Sequence, residues 1–261
     1  MAKRVQKMKY GLSFISDENL FKHVKETVEK YRFKINLKTL NDNLLDPIKL
    51  TFDSAVYQGS FSNEALEVVL QNEAIRQIDK SNTNHIGYFH QNIFKYINQN
   101  KGWIVPKKGF DVENTDKHIF VEMKNKHNTM NSSSSAKTYM RMQNKLLKDR
   151  ESICYLVEVI AKHSQDIIWK CTVDGEKVSH EKIRRISIDR FYEIATGSKT
   201  AFAELCKILP TVIHDVISEN KIQLIENTLL EDLKKENYNN ILEELYLFAF
   251  KEYQGFESFN L

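Results

Sequence analysis

The chain has 261 residues, 41% of them hydrophobic and 28% charged, the balance of a globular protein long enough to bury a substantial core. No apolar run is long enough to cross a bilayer, and the basic start, Met1 to Lys9, is followed by a stretch too short and polar for a secretory signal, which points to an intracellular home without membrane attachment. The net charge of +3 hides an asymmetry: residues 101–150 carry eleven Lys/Arg against five Asp/Glu, residues 211–261 four against ten. Such a distribution suits either a polyanion approaching one side or a solvated lysine-rich face.

In chain order, Asp17 to Tyr31 places Leu20, Phe21, Val24 and Val28 on one helical stripe behind an acidic first turn. Phe33 to Leu50 reads as mixed and loop-rich, ending near Pro47. Helical spacing recurs through Leu66, Val69, Leu70 and Ile78 over Asn63 to Asp79, and again through Ile86, Phe89, Ile93, Phe94 and Ile97 over Asn84 to Asn98. A strand pair follows, then a serine loop, Asn131 to Ser135, able to cap a helix from about Ala136 to Arg150. Strands are predicted at Ile153 to Ile160, Asp166 to Val173 and Arg185 to Ile188, the last feeding a helix from Asp189 to Thr196 that Gly197 stops. Helical periodicity then runs from Thr200 to about Tyr253. This order reads as α/β with a mixed central sheet flanked by helices. The expected organisation is one domain with its core at about 84–200, a helical N-terminal region over 1–83 and a helical C-terminal region over 201–261.

Three dispersed cysteines, Cys154, Cys171 and Cys206, form no Cys-x-x-Cys pair and are expected as reduced, mostly buried thiols. The chemistry concentrates between Gly109 and Lys126. Asp111 sits at one end of a strand-like run, turn residues Asn114 to Lys117 follow, and His118 to Lys124 forms a second run. Residues two apart in a strand share a face, so Glu122 and Lys124 point together, and a hairpin brings Asp111 beside Glu122. Two carboxylates and an amine at one sheet edge suit a hard cation and hydrolysis of a phosphodiester; an inert cross-strand charge pair is the plain structural alternative. Two further acid-x-lysine tripeptides, beginning at Glu219 and Asp232, lie in helical or helix-end sequence, where that spacing separates the side chains.

Gly109-Phe110-Asp111 with Phe120-Val121-Glu122-Met123-Lys124 resembles the PD-(D/E)XK nucleases, with Phe110 where the motif's proline stands. Three blocks, Ile86 to Gln91, Glu122 to Thr129 and Asp189 to Gly197, are similar to type II restriction endonucleases that cut GGNCC or GGWCC. The resemblance implies a restriction-endonuclease-like fold, a Mg²⁺-dependent double-strand DNA endonuclease of the prokaryotic cytoplasm, 5′-phosphate products and a homodimer. It implies Asp111, Glu122 and the Met123 carbonyl as metal ligands, with Lys124 positioning the attacking water. His90 and Gln91 are candidates to support the metal site, or a helix surface pair. Lys126, His127, Asn128, Arg141, Gln143 and Lys145 are candidate DNA contacts, and Arg184, Arg185 and Lys199 candidate readers of guanine. The alternatives are a structure- or end-specific repair nuclease of the same fold and a non-catalytic DNA-binding module. Leu224, Leu229, Leu233, Leu242 and Leu245 are candidates for a subunit interface or an intramolecular core.

Overall fold

The computed structural model describes residues 9–31, 34–36, 38, 45–99, 102–220, 226–229, 231–232 and 240–250. In chain order these form α1 (Asp17–Val28), β1 (Lys34–Ile35), α2 (Pro47–Asp53), a π-helical turn (Ser54–Gln58), α3 (Asn63–Asn92), a 3-10 helix (Ile93–Gln99), β2 (Trp103–Ile104), β3 (Val112–Asn114) and β4 (Ile119–Lys126). They continue with α4 (Ser132–Lys148), β5 (Ile153–Ile160), β6 (Asp166–Ile168), β7 (Cys171–Val173), β8 (Glu176–Val178), β9 (Ile183–Ser187), α5 (Ile188–Thr196), α6 (Ala201–Asn220), β10 (Glu226–Asn227) and α7 (Ile241–Phe250). The chain divides into two compact units, Met1–Glu29 with His85–Asn220, and Lys30–Asn84 with Lys221–Leu261.

The first unit is built on a six-stranded mixed sheet of order β2-β3-β4-β5-β9-β6. Strands β4, β5 and β9 run parallel, while β2, β3 and β6 pair antiparallel with their neighbours. A parallel neighbour requires a crossover connection, and α4 supplies it between β4 and β5. Strand alternation divides the sheet's side chains between two cores. On one face Val121, Met123, Val157 and Ile186 pack with α1, the 3-10 helix, α5 and α6. On the other, Phe120, Cys154, Leu156 and Ile183 meet Tyr139, Met142 and Leu146 of α4. Full burial of each such side chain is worth about 1.5–3 kcal/mol, so the two layers hold the parallel centre of the sheet from both sides. Cys154 and Cys171 are buried free thiols as expected, the former pushed up to about 12 by burial, whereas Cys206 is exposed.

The second unit has its own core of Leu45, Leu50, Leu66, Val69, Leu70, Leu229, Ile241 and Leu245, with β1 and β10 paired parallel. Leu229 and Leu245 are therefore core residues with Leu242 packed against them; Leu224 and Leu233 lie outside the described residues.

Several elements differ from the sequence reading. The two helices expected over residues 63–98 are one continuous 30-residue α3 followed by the 3-10 helix. The lapse in apolar spacing at residues 79–84 marks exposure, because that polar stretch contains no proline or glycine to end a helix. Pro47 opens a helix, behind the Asp46 cap that accepts from the Lys49 amide at 3.1 Å. Asn131 alone caps α4, its Oδ1 accepting from the Ser134 amide at 2.8 Å, so the serines form the first turn. The strand expected over Asp166 to Val173 splits, because buried Trp169 turns into the α4 layer, with ring centroids 5.3 Å from Tyr139. Beyond it, Asp174 and Gly175, both at positive φ, close the β7–β8 hairpin. The helical stretch after Thr200 is interrupted by β10, and its last expected residues, 251–253, lie outside the described residues.

Phe191 is fully buried among Phe94, Trp103 and Tyr155, with ring centroids 4.9, 5.5 and 6.2 Å away. Phe191→Ala is expected to cost about 3–5 kcal/mol, read as a lower urea midpoint at unchanged slope; Phe191→Leu, which refills most of the volume, costs less.

Candidate active site

Strands β3 and β4 pair Val112 with Val121 and Asn114 with Ile119. The turn between them is fastened by Asn114 Oδ1, which accepts from the Lys117 amide at 3.0 Å. One residue before β3, the Asp111 amide donates to the Val121 carbonyl at 2.9 Å, so Asp111 and Val112 both face Val121 and Asp111 stands near enough to Glu122 to feel its charge. There the partner strand stops while β4 continues. The Met123 amide, facing the vacated edge, donates to Asp111 Oδ2 at 2.7 Å. Within an extended residue the N–H and C=O point to the same edge, so the Met123 carbonyl also opens beside Asp111. Gly109, at φ +110, makes the approach to this position; a Cβ there would stand 3.2 Å from Glu113 Oε1 in a conformation that side chains rarely adopt.

Glu122 and Lys124 share the α4 face of β4, as their spacing requires. Lys124 Nζ lies 2.8 Å from Glu122 Oε1. Arg141, about two turns back from the basic end of α4, donates to Glu122 Oε2 and to the Gly109 carbonyl (3.1 Å). Its guanidinium also lies 5.0 Å from the centre of the Phe110 ring. Glu122 is thus buried with a cation on each oxygen. Asp111 is raised above the usual carboxylate range, first by burial and then by the negative charge of Glu122. The Met123 amide, Lys124 and Arg141 pull it back only in part.

This donor set suits a hard divalent cation. It offers two adjacent carboxylates and a main-chain carbonyl, all oxygen, with no thiolate or imidazole. Among the described residues no group of three or more His, Cys, Asp or Glu side chains is gathered for a metal, so a cation here would rest on this pair, the carbonyl and water.

The other candidate residues divide sharply. Lys126, the last residue of β4, and Asn128, two residues beyond it, are exposed, and Lys199 is exposed in the turn before α6. His127 is anchored, its amide donating to the Ile160 carbonyl at 3.0 Å. Gln143 lines a surface recess on the outer side of α4 with Asn144, Arg150, His180 and Lys182. Lys145 places its ammonium 3.8 Å from the centre of the Phe120 ring. His90 is pushed down to about 4 by burial, and its Nδ1 has no hydrogen-bond partner among the described residues. Among the described residues Asp111 and Glu122 bond Met123, Lys124 and Arg141 rather than His90 or Gln91. Arg184 and Arg185 are committed within the sheet. Arg184 Nε donates to Asp166 Oδ1 at 2.6 Å, and Arg185 Nε donates to Glu158 Oε1 at 2.8 Å. Arg185 also donates to the His127 carbonyl at 3.2 Å, so both guanidiniums are paired within the sheet.

Two features escaped the sequence reading. Arg141 faces the carboxylates, a consequence of where α4 crosses the sheet. Glu158, 1% exposed, stands in register with Lys124 on the neighbouring strand; its signal was a single acid inside the apolar run Ile153 to Ile160.

The Eco47II restriction endonuclease family matches residues 12–218. The type II restriction enzyme Sau96I of Staphylococcus aureus is 31% identical over 223 residues, spanning 80% of this chain and 82% of that protein. The type II restriction enzyme Eco47II of Escherichia coli is 29% identical over 221 residues, spanning 80% and 89%. With a six-stranded mixed sheet between helical layers and a match across most of its length, the chain belongs to the Eco47II restriction endonuclease family and is a type II site-specific deoxyribonuclease.

Proposed function

We propose that the enzyme hydrolyses phosphodiester bonds of double-stranded DNA with Mg²⁺ held by Asp111, Glu122 and the Met123 carbonyl, leaving 5′-phosphates, through a site of the PD-(D/E)XK type. The observation that carries this reading is the β3–β4 hairpin, which seats Asp111 on the Met123 amide and within reach of the Glu122 charge. The cation supplies charge neutralisation at the phosphate and lowers the pKa of a ligated water. The side chains do the remainder. Asp111 and Glu122 hold the cation against their mutual repulsion. Lys124, on the same face, donates a hydrogen bond to the attacking water and opposes the charge that develops on the phosphate oxygens. Arg141, anchored by the Gly109 carbonyl, stands where an incoming phosphate meets the site.

Exposed Lys126, Asn128 and Lys199 extend the contact surface, with Gln143 on the outer side of α4. The quoted resemblance supports GGNCC or a close relative as the target. A nearly palindromic site supports a homodimer with one catalytic centre for each strand, working in the prokaryotic cytoplasm.

Digestion of a plasmid of known sequence tests the reading. Discrete fragments ending at one short motif are expected with Mg²⁺ and none without it. Asp111→Ala and Lys124→Ala should each lower the cleavage rate by about a thousandfold or more while duplex binding in Ca²⁺ persists; a smear of end-dependent products, or unchanged cutting by both variants, contradicts the assignment.

Asp111 also carries a stability signature. Because its folded pKa is raised, its ionised form destabilises the metal-free fold, fully so above the folded pKa and not at all below the unfolded value near 3.9. Asp111→Asn retains an oxygen for the Met123 amide and removes the charge. Thermal unfolding in chelator should show a higher midpoint for the variant near pH 8, with the gain disappearing as pH falls through the acidic range.

A further inference from the structure

Lys124 holds an oxygen of Glu122 that a cation would also take, and the next strand holds a second carboxylate facing it. Register pairs Lys124 with Glu158 on β5, and Glu158 with Ser187 on β9. Residues in register on adjacent strands share a face, so Glu122, Lys124, Glu158 and Arg185 lie on the α4 side of the sheet. Neighbouring strands are about 4.8 Å apart, well within the sweep of a lysine side chain. Glu158 is buried, and Arg185 occupies only its Oε1. Oε2 is buried too and has no hydrogen-bond partner among the described residues. A buried carboxylate oxygen without a donor costs about 1–3 kcal/mol or more, a penalty that a second donor removes.

We infer that Glu158 is a positioning residue for Lys124, its Oε2 accepting the ammonium when Glu122 binds the divalent cation. The inference rests on the proposed assignment of Asp111 and Glu122 as cation ligands. Arg141 keeps the Gly109 carbonyl and the Phe110 ring when it yields Glu122; among the described residues Lys124 has only Glu122. Glu158 gives it a destination on the catalytic face, beside the reacting phosphate and away from the ligated oxygens. Without that destination the ammonium stays on Glu122 and competes with the cation. The rival role is a strut: Glu158 holds Arg185, which holds the His127 carbonyl at the end of β4.

The two roles separate in a double-mutant cycle read by Mn²⁺ affinity, measured on the full chain by electron paramagnetic resonance without DNA. Glu158→Gln keeps the shape and an oxygen for Arg185 while removing the charge. It is expected to weaken Mn²⁺ binding about tenfold when Lys124 is present and no more than about twofold in Lys124→Met, a coupling of about 1 kcal/mol. Equal weakening in both backgrounds, or none in either, overturns the relay and leaves the ligand assignment standing. Mn²⁺ binding that ignores Asp111→Ala defeats the ligand assignment, and the relay with it. A crystal structure of the wild-type protein with Ca²⁺ tests the relay without any variant: Lys124 Nζ should lie about 2.8 Å from Glu158 Oε2, and a lysine still on Glu122 or turned to solvent refutes it.

Discussion

Two carboxylates forced together under partial burial are the constraint around which the first unit is arranged. Asp111 and Glu122 repel each other, and burial adds to the cost. The chain meets that cost in three ways. The β3–β4 register fixes the backbone so that neither carboxylate can retreat, the Met123 amide binds one of them, and Lys124 and Arg141 neutralise the other. Each depends on an element placed for that purpose. A β3 extended by two residues would occupy the edge where Asp111 meets Met123. An α4 rotated on its axis would carry Arg141 away from Glu122.

The sheet is polar where its parallel strands end and apolar behind. Along β4, β5 and β9 the α4 face passes from Phe120, Cys154 and Ile183 to Lys124, Glu158 and Ser187. Binding at the carboxyl ends of parallel strands is a general property of α/β sheets, and here the change occurs within one strand length. The apolar part supplies rigidity. The polar part then tolerates like charges that a looser scaffold would let drift apart.

The geometry of the candidate site was legible in the sequence because its logic is local. Parity alone set Glu122 beside Lys124, and a turn signature of four residues folded Asp111 back to them. Strand β5 and helix α5 were legible for the same reason, the one as an unbroken apolar run and the other by its glycine stop. What escaped depended on distant partners. Arg184 and Arg185 look like free donors in the sequence, but their partners Asp166 and Glu158 lie 18 and 27 residues away. The continuity of α3 was hidden because exposed helix carries no apolar rhythm. The Asp174-Gly175 turn was different: its signature was present in the sequence, directly after the strand expected to end at Val173, and was passed over.

The sheet's outermost strands are β2, with two residues, and β6, with three. Each offers only a few unpaired backbone groups, and Asp166 at one of them is already bound to Arg184. Short edges with a charged pair resist strand addition. Two copies of this protein meeting on one DNA site would therefore gain little from joining their sheets into one, and side chains of helices and loops would have to carry the association. Each copy's β3–β4 hairpin would then keep its own register whether or not a second copy is bound.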